Sequence, residues 1–241
     1  MENLVSAIKL CVEGLRELFF PRKCIVCGRL LRKEEQDMCA DCLAELPLTY
    51  QWVIGQNAAF ERLARRFDVE AAASLFFFRS ESDYRHILYG IKYGNRRKLG
   101  FRMGYLLGTH LAESRLFSRC QVVVPVPLHP LRRWKRGYNQ AEEIACGVAA
   151  AMNLPLESSL IHRHRRTKTQ TKMSVDEKTK NVQGAFRMDA AIADKLQRQG
   201  IRHILLIDDT LTTGSTLAAT AAPLLVSNFT VSCATLAFVG A

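Results

Sequence analysis

The chain has 241 residues, 48% of them hydrophobic, which is enough to bury a core of its own and places it between one and two domains. Its formal net charge of +11 points to an anionic partner, either nucleic acid or a small polyphosphate. Apolar runs such as 71–78 and 121–126 fall far short of the about 20 residues that cross a bilayer. Glu2, Lys9, Glu13, Arg16 and Glu17 interrupt any signal-peptide core, so a cytoplasmic chain with no transmembrane segment is expected.

In chain order, Leu4, Ile8, Cys11, Leu15 and Leu18 recur at helical spacing over residues 1–20, and Phe19-Phe20-Pro21 ends the pattern. The charges of this amphipathic helix are mixed rather than basic, which favours packing on its neighbour over lying on a membrane. A cysteine module with its linker follows over 21–68. Cys24, Cys27, Cys39 and Cys42 stand as C-x2-C-x11-C-x2-C. Each pair wraps two thiolates around one side of a tetrahedral ion, and Gly28 permits the tight turn between them. Four thiolates close the site, so a structural Zn2+ is expected. Cys11, Cys120, Cys146 and Cys233 are scattered through apolar segments and read as buried thiols.

A second unit is expected over 69–241, with strand alternating with helix. A strand over 71–78 precedes helices over 84–92 and 98–113. A short strand over 122–126, a helix over 139–152 and a polar loop over 162–180 come next. A helix over 192–199, a strand over 203–207, a helix over 215–226 and a strand over 231–239 complete the chain. Such alternation implies an α/β fold with a parallel sheet flanked by helices.

The most specific signal is Ile204-Leu205-Leu206-Ile207-Asp208-Asp209-Thr210-Leu211-Thr212-Thr213-Gly214-Ser215-Thr216. A buried strand ends on two carboxylates, where open α/β sheets bind ligands. A hydroxyl-rich turn with Gly214 then opens into a helix, whose first N–H groups and dipole attract anions. Carboxylates beside a phosphate cradle suit a ligand with both a phosphate and sugar hydroxyls. Excess positive charge gathers nearby: residues 127–180 hold eleven Lys/Arg against five Asp/Glu. Arg132, Arg133, Lys135 and Arg136 directly follow the strand over 122–126, which places them at the same sheet edge. Arginine forks suit diphosphate oxygens. The loop around Lys168 adds further cations.

The Asp-Asp string resembles the phosphoribosyl pyrophosphate (PRPP) motif of type I phosphoribosyltransferases. Val-Pro-Val-Pro-Leu-His-Pro followed by Arg-Gly-Tyr-Asn-Gln-Ala, then Thr169-Gln170 and Asn181-Val182-Gln183-Gly184-Ala185-Phe186, narrows the resemblance to the ComF family, from about residue 21 to the C-terminus. The resemblance implies a type I phosphoribosyltransferase-like sheet behind a zinc-ribbon-like module. It implies that Asp208 and Asp209 hold the ribose, that Thr210 and Thr212 to Thr216 hold the 5′-phosphate, and that Arg132, Arg133, Lys135, Arg136 and Lys168 face diphosphate. PRPP enters with Mg2+ in this family, and the loop over 162–172 closes over it. Partners implied are PRPP, single-stranded DNA and proteins of the competence machinery. Two functions stay open: a phosphoribosyl transferase releasing pyrophosphate, and a non-catalytic PRPP- or nucleic-acid-binding module.

Overall fold

The computed structural model describes residues 21–128, 130–163 and 184–240, and of Pro130, Arg132 and Lys135 the backbone alone. The helix expected over 1–20 and the greater part of the loop expected over 162–180, Lys168 included, lie outside these residues. The elements are α1 (Ala40–Ala44), α2 (Ala58–Ala64), β1 (Ala72–Phe78), α3 (Arg85–Tyr93), α4 (Arg97–Ala112), β2 (Val122–Pro125), α5 (Pro130–Arg136), α6 (Gln140–Met152), β3 (Ile161–Arg163), β4 (Phe186–Met188), α7 (Ala190–Arg198), β5 (His203–Leu211), α8 (Ser215–Val226) and β6 (Thr230–Val239). Among the described residues no helix is long and apolar enough to cross a membrane.

Four strands form the sheet in the order β1-β6-β5-β2, every neighbouring pair parallel. This is the helix-flanked parallel sheet that strand–helix alternation implies. Ile204 to Ile207 on β5 are fully buried because both faces of the sheet are covered. Leu205 and Ile207 face α3, α4 and α6, while Ile204 and Leu206 face α2, α7 and α8. The alternation of a strand thus becomes two apolar layers on opposite sides.

Four segments depart from the sequence reading. β5 continues to Leu211 instead of ending at 207, because β6 offers pairing partners as far as Phe238; Asp208 and Thr210 stay in the ladder, opposite Thr235 and Ala237. Residues after β2, expected as a turn, form helix α5. Residues 162 and 163, expected to open a loop, belong to strand β3, which pairs antiparallel with β4 through Ile161↔Met188 and Arg163↔Phe186. Three residues per strand are too few for alternation to be read. Helix α7 also starts before the expected 192, because the Asp189 side chain accepts from the Ile192 N–H at 3.0 Å and caps it.

Helices α4 and α6 pack backbone to backbone. Gly100, Gly104 and Gly108 stand one turn apart along α4. A Cβ on Gly104 would sit 2.1 Å from the Ile144 carbonyl oxygen, and one on Gly147 2.1 Å from that of Phe101. Since the obstruction is backbone, it cannot rotate away. Gly104→Ala and Gly147→Ala are each expected to lower unfolding stability by about 1–3 kcal/mol. Gly55→Ala, whose Cβ would meet nothing nearer than 3.6 Å, should stay within about 0.5 kcal/mol. Urea unfolding of the three variants checks this ordering.

Candidate functional site

Strands β2 and β5 are paired in register, Pro125 opposite Ile207, so the chain leaves both at the same edge. Between the two exits lies a cleft of about 300 Å3 whose lining includes Lys92, Arg136, Asp208, Asp209, Thr212 and Thr216. Asp208 accepts a hydrogen bond from the Asp209 backbone N–H at 2.8 Å. Burial, and after it the Asp209 carboxylate, push the Asp208 carboxyl up from its ordinary 3.8 to about 7. The second carboxylate is compensated: the Lys92 ammonium lies 3.0 Å from Asp209 Oδ1 and donates to Thr210 Oγ1 at 3.1 Å. Lys92 comes from α3, more than a hundred residues upstream.

After Leu211 the chain turns through Gly214, at φ +78°, into α8. Among the described residues no side chain caps this helix, and Thr213 Oγ1 alone approaches the Ser215 N–H, at 3.5 Å. Its leading N–H groups are therefore available to an anion. Gly214 is required twice. Its φ is left-handed, and a Cβ there would come within 2.7 Å of Leu63 Cδ2. The close approach is by α2 beneath the turn. The same helix supplies Arg62, which donates to the carbonyls of Thr212 at 2.7 Å and Val239 at 2.6 Å. Its guanidinium also lies 4.2 Å from the Phe238 ring centroid. Thr212 and Thr216 line the cleft, whereas Thr213 and Thr212 border a second, wider hollow with Arg62, Arg65 and Arg66. The Thr213 and Ser215 hydroxyls bond each other at 2.5 Å.

The opposite wall is the start of α6. The Asn139 side chain donates to the Val126 carbonyl at 3.1 Å, which ties α6 to the end of β2. Gln140 is buried, accepts from Arg136 at 3.0 Å, and leaves its Nε2 without a partner among the described residues. Of the four cations in the basic segment, Arg136 lines the cleft. Arg133 lies 3.7 Å from Glu142 and is not part of the lining. The side chains of Arg132 and Lys135, and all of Lys168, are outside the described residues. Lys92, Asn139, Gln140 and Arg163 line the cleft without having been singled out. Asn139 and Gln140 stood inside the quoted Arg-Gly-Tyr-Asn-Gln string; Lys92 carries no signal in a single sequence.

The four module cysteines converge, with their sulfurs all within 4.8 Å of one another. Zn–S bonds of about 2.3 Å in a tetrahedron set sulfurs about 3.8 Å apart, and Cys27 Sγ and Cys39 Sγ are 3.8 Å apart. Burial alone would push the Cys24 thiol up, but N–H groups of Cys27, Cys39 and Val26 outweigh it and hold it at about 6. That environment favours the Cys24 thiolate, whereas burial, and after it the neighbouring cysteines, push the Cys42 thiol up, so that ligand gives up its proton only to a metal. The module is docked on the main unit. Tyr84 donates to the Cys42 carbonyl at 3.0 Å, Arg102 to Asp37, and Ile25 packs on Gly90 of α3.

Residues 15–52 match the family model of the double zinc ribbon domain. Four cysteines fall within that span, enough to hold one ion. DNA utilization protein YhgH of Escherichia coli O157:H7 is 27% identical over 210 residues, covering 84% of this chain and 83% of that protein. Its namesake in Salmonella typhimurium is 27% identical over 208 residues, with the same coverage. Competence protein F of Haemophilus influenzae is 33% identical over 116 residues, 48% of this chain and 49% of that one. Among solved structures, glutamine PRPP amidotransferase from B. subtilis, complexed with ADP and GMP, aligns with a TM-score of 0.37 and 19% identity. That alignment spans 60% of this chain and 30% of the other.

Elemental analysis of the purified chain is expected to find one zinc per chain, and Cys39→Ser should remove it together with part of the thermal stability; a zinc-free wild type would contradict the metal site. The Asp208 carboxyl gives a second expectation. Between about pH 4 and pH 7 the folded state keeps a proton that the unfolded state has lost, so stability falls as pH rises through this window. Asp208→Asn removes that loss, which has a limiting slope of about 1.4 kcal/mol per pH unit. Its urea midpoint should gain on wild type from pH 4 to pH 7 and then run parallel.

Proposed function

We propose that this chain, a homologue of competence protein F and of DNA utilization protein YhgH, binds PRPP in the cleft between β2 and β5 and transfers its phosphoribosyl group. The observation that carries this reading is the combination in one cleft of two adjacent carboxylates, an uncapped helix N-terminus with threonine hydroxyls, and the cations Lys92 and Arg136. Each feature meets one part of the same small molecule.

In this reading the start of α8, with Thr212 and Thr216, takes the 5′-phosphate, while Asp208 and Asp209 accept hydrogen bonds from the ribose hydroxyls. Arg136 and the Gln140 Nε2, which has no partner among the described residues, donate to the diphosphate. The bond from C1′ to the diphosphate oxygen breaks, with its electron pair leaving on pyrophosphate. A lone pair of the acceptor forms the new bond to C1′, and the acceptor's proton passes to the departing diphosphate. Lys92 and Arg136 stabilise the charge that grows there. Mg2+ entering with PRPP would find the two carboxylates as its oxygen donors in the described lining, and would neutralise diphosphate charge. The names of the relatives and the +11 charge favour a second reading, a module of DNA uptake that binds PRPP or a nucleic acid without turnover. A cytoplasmic place of action is part of both readings, since that compartment keeps the four thiolates reduced.

Calorimetric titration with PRPP and Mg2+ tests the shared premise. Asp208→Asn combined with Asp209→Asn removes two carboxyl acceptors, worth about 1.5–3 kcal/mol each once both are ionised, so affinity titrated above about pH 7 should fall at least about 100-fold. An unchanged affinity in the double variant would overturn the assignment. Pyrophosphate release measured against a panel of bases and amines separates transfer from binding alone.

A further inference from the structure

One face of α3 carries an aromatic row that the cleft chemistry does not use. His86, Tyr89 and Tyr93 are spaced i, i+3 and i+7, which sets them one above another along the helix. Their ring centroids follow at 6.4 Å and 6.3 Å. These rings are not core: Tyr89 is 45% and Tyr93 73% exposed, although Ile87, Leu88 and Ile91 of the same helix are fully packed. The row does not end in open solvent. The guanidinium of Arg136 lies 5.3 Å from the Tyr93 ring centroid, and Arg136 lines the cleft. Lys92, next in sequence to Tyr93, reaches into that cleft to Asp209. The last turn of α3 therefore offers a cation inward and an aromatic ring at the rim.

We propose that the Tyr89–Tyr93 face of α3 is a stacking surface for unpaired nucleobases, leading along the helix to the cleft at Arg136. Exposed rings beside cations are the arrangement that holds single strands, because every base has a π face and every linkage a negative charge. The rings are not parallel: His86 meets Tyr89 edge to face at 77°, and Tyr89 is tilted 54° to Tyr93. Each exposed tyrosine therefore offers its own face, and successive bases must splay apart to use them, as the bases of an unpaired strand can. The surface goes beyond the PRPP reading, and either can fail alone.

The test is fluorescence anisotropy of a labelled twelve-residue oligothymidylate on the full chain, with a hairpin duplex of the same length beside it. Tyr89→Ala and Tyr93→Ala are each expected to weaken single-strand binding about tenfold, and Tyr89→Phe with Tyr93→Phe to stay within about twofold. The slope of affinity against salt should not change in the alanine variants, since no cation is removed. Thymidine monophosphate serves as competitor: displacement at matched base concentration assigns the surface to a single base, and failure to displace assigns it to a strand. Strand affinity equal to wild type in both alanine variants would overturn the proposal, as would preferential binding of the duplex. PRPP titration of the phenylalanine pair reports that the fold is intact; a pair that keeps PRPP and loses the strand also overturns stacking. Strand binding that depends on Tyr89 and Tyr93 in a protein with no affinity for PRPP would sustain this surface and refute the cleft assignment.

Discussion

Everything at the candidate site depends on the pairing of β5 between two parallel neighbours. A strand covered on both faces carries apolar side chains, or polar ones with a partner: Ile204 to Ile207 are apolar, and His203 at the start of β5 is buried with its Nε2 2.9 Å from the Ser232 hydroxyl. Its carboxylates are deferred to the end, where the register with β2 and β6 brings residues 126 to 128 and 208 to 212 out together. Parallel strands must all finish at one edge, so the cleft follows from topology before any side chain is chosen. Asp208 sits at the boundary between those two regimes, still in the ladder yet already carboxylate, and its raised pKa is the electrostatic record of that position.

The supports of the phosphate turn come from far away in sequence. Arg62 and Leu63 on α2 hold it from beneath, the first through the Thr212 and Val239 carbonyls and the second by filling the space where Gly214 lacks a side chain. Lys92 on α3 neutralises one carboxylate. That helix also bears the contact with Ile25, so the metal module and the cleft share a structural element. A zinc ribbon here fastens the outer side of the helix whose inner side carries Lys92.

What was legible in the sequence was what is local. The doubled C-x2-C spacing, the apolar run into Asp208 and Asp209, and the turn into α8 each lie within about twenty residues, and period and spacing suffice to read them. The parallel sheet with its helices was legible from alternation. The residues that complete the cleft were not. Lys92 reaches it from another element, and Gln140 is recognisable only once its Nε2 is seen buried with no partner among the described residues; Arg163 was anticipated only as part of the loop expected to close over the ligand. Gly104 and Gly147 read as weak helix positions until the backbone contact between α4 and α6 gives them a reason. Helix α5 hid behind its charges, because Pro130-Leu131-Arg132-Arg133-Trp134-Lys135-Arg136 has too few apolar residues to show a period. Charge likewise located the cations near the cleft without saying which of them turns inward: Arg136 does, and Arg133 faces Glu142.

The central claim is that one cleft seats the phosphate, the ribose and the diphosphate of a single ligand. A crystal structure of the full chain grown with PRPP and Mg2+ tests this most directly. The account requires the 5′-phosphate at the first turn of α8, the ribose hydroxyls against Asp208 and Asp209, and the diphosphate within reach of Arg136. Density for the phosphates in the hollow beside Arg65 and Arg66, with the cleft at Asp208 holding only solvent, would contradict it.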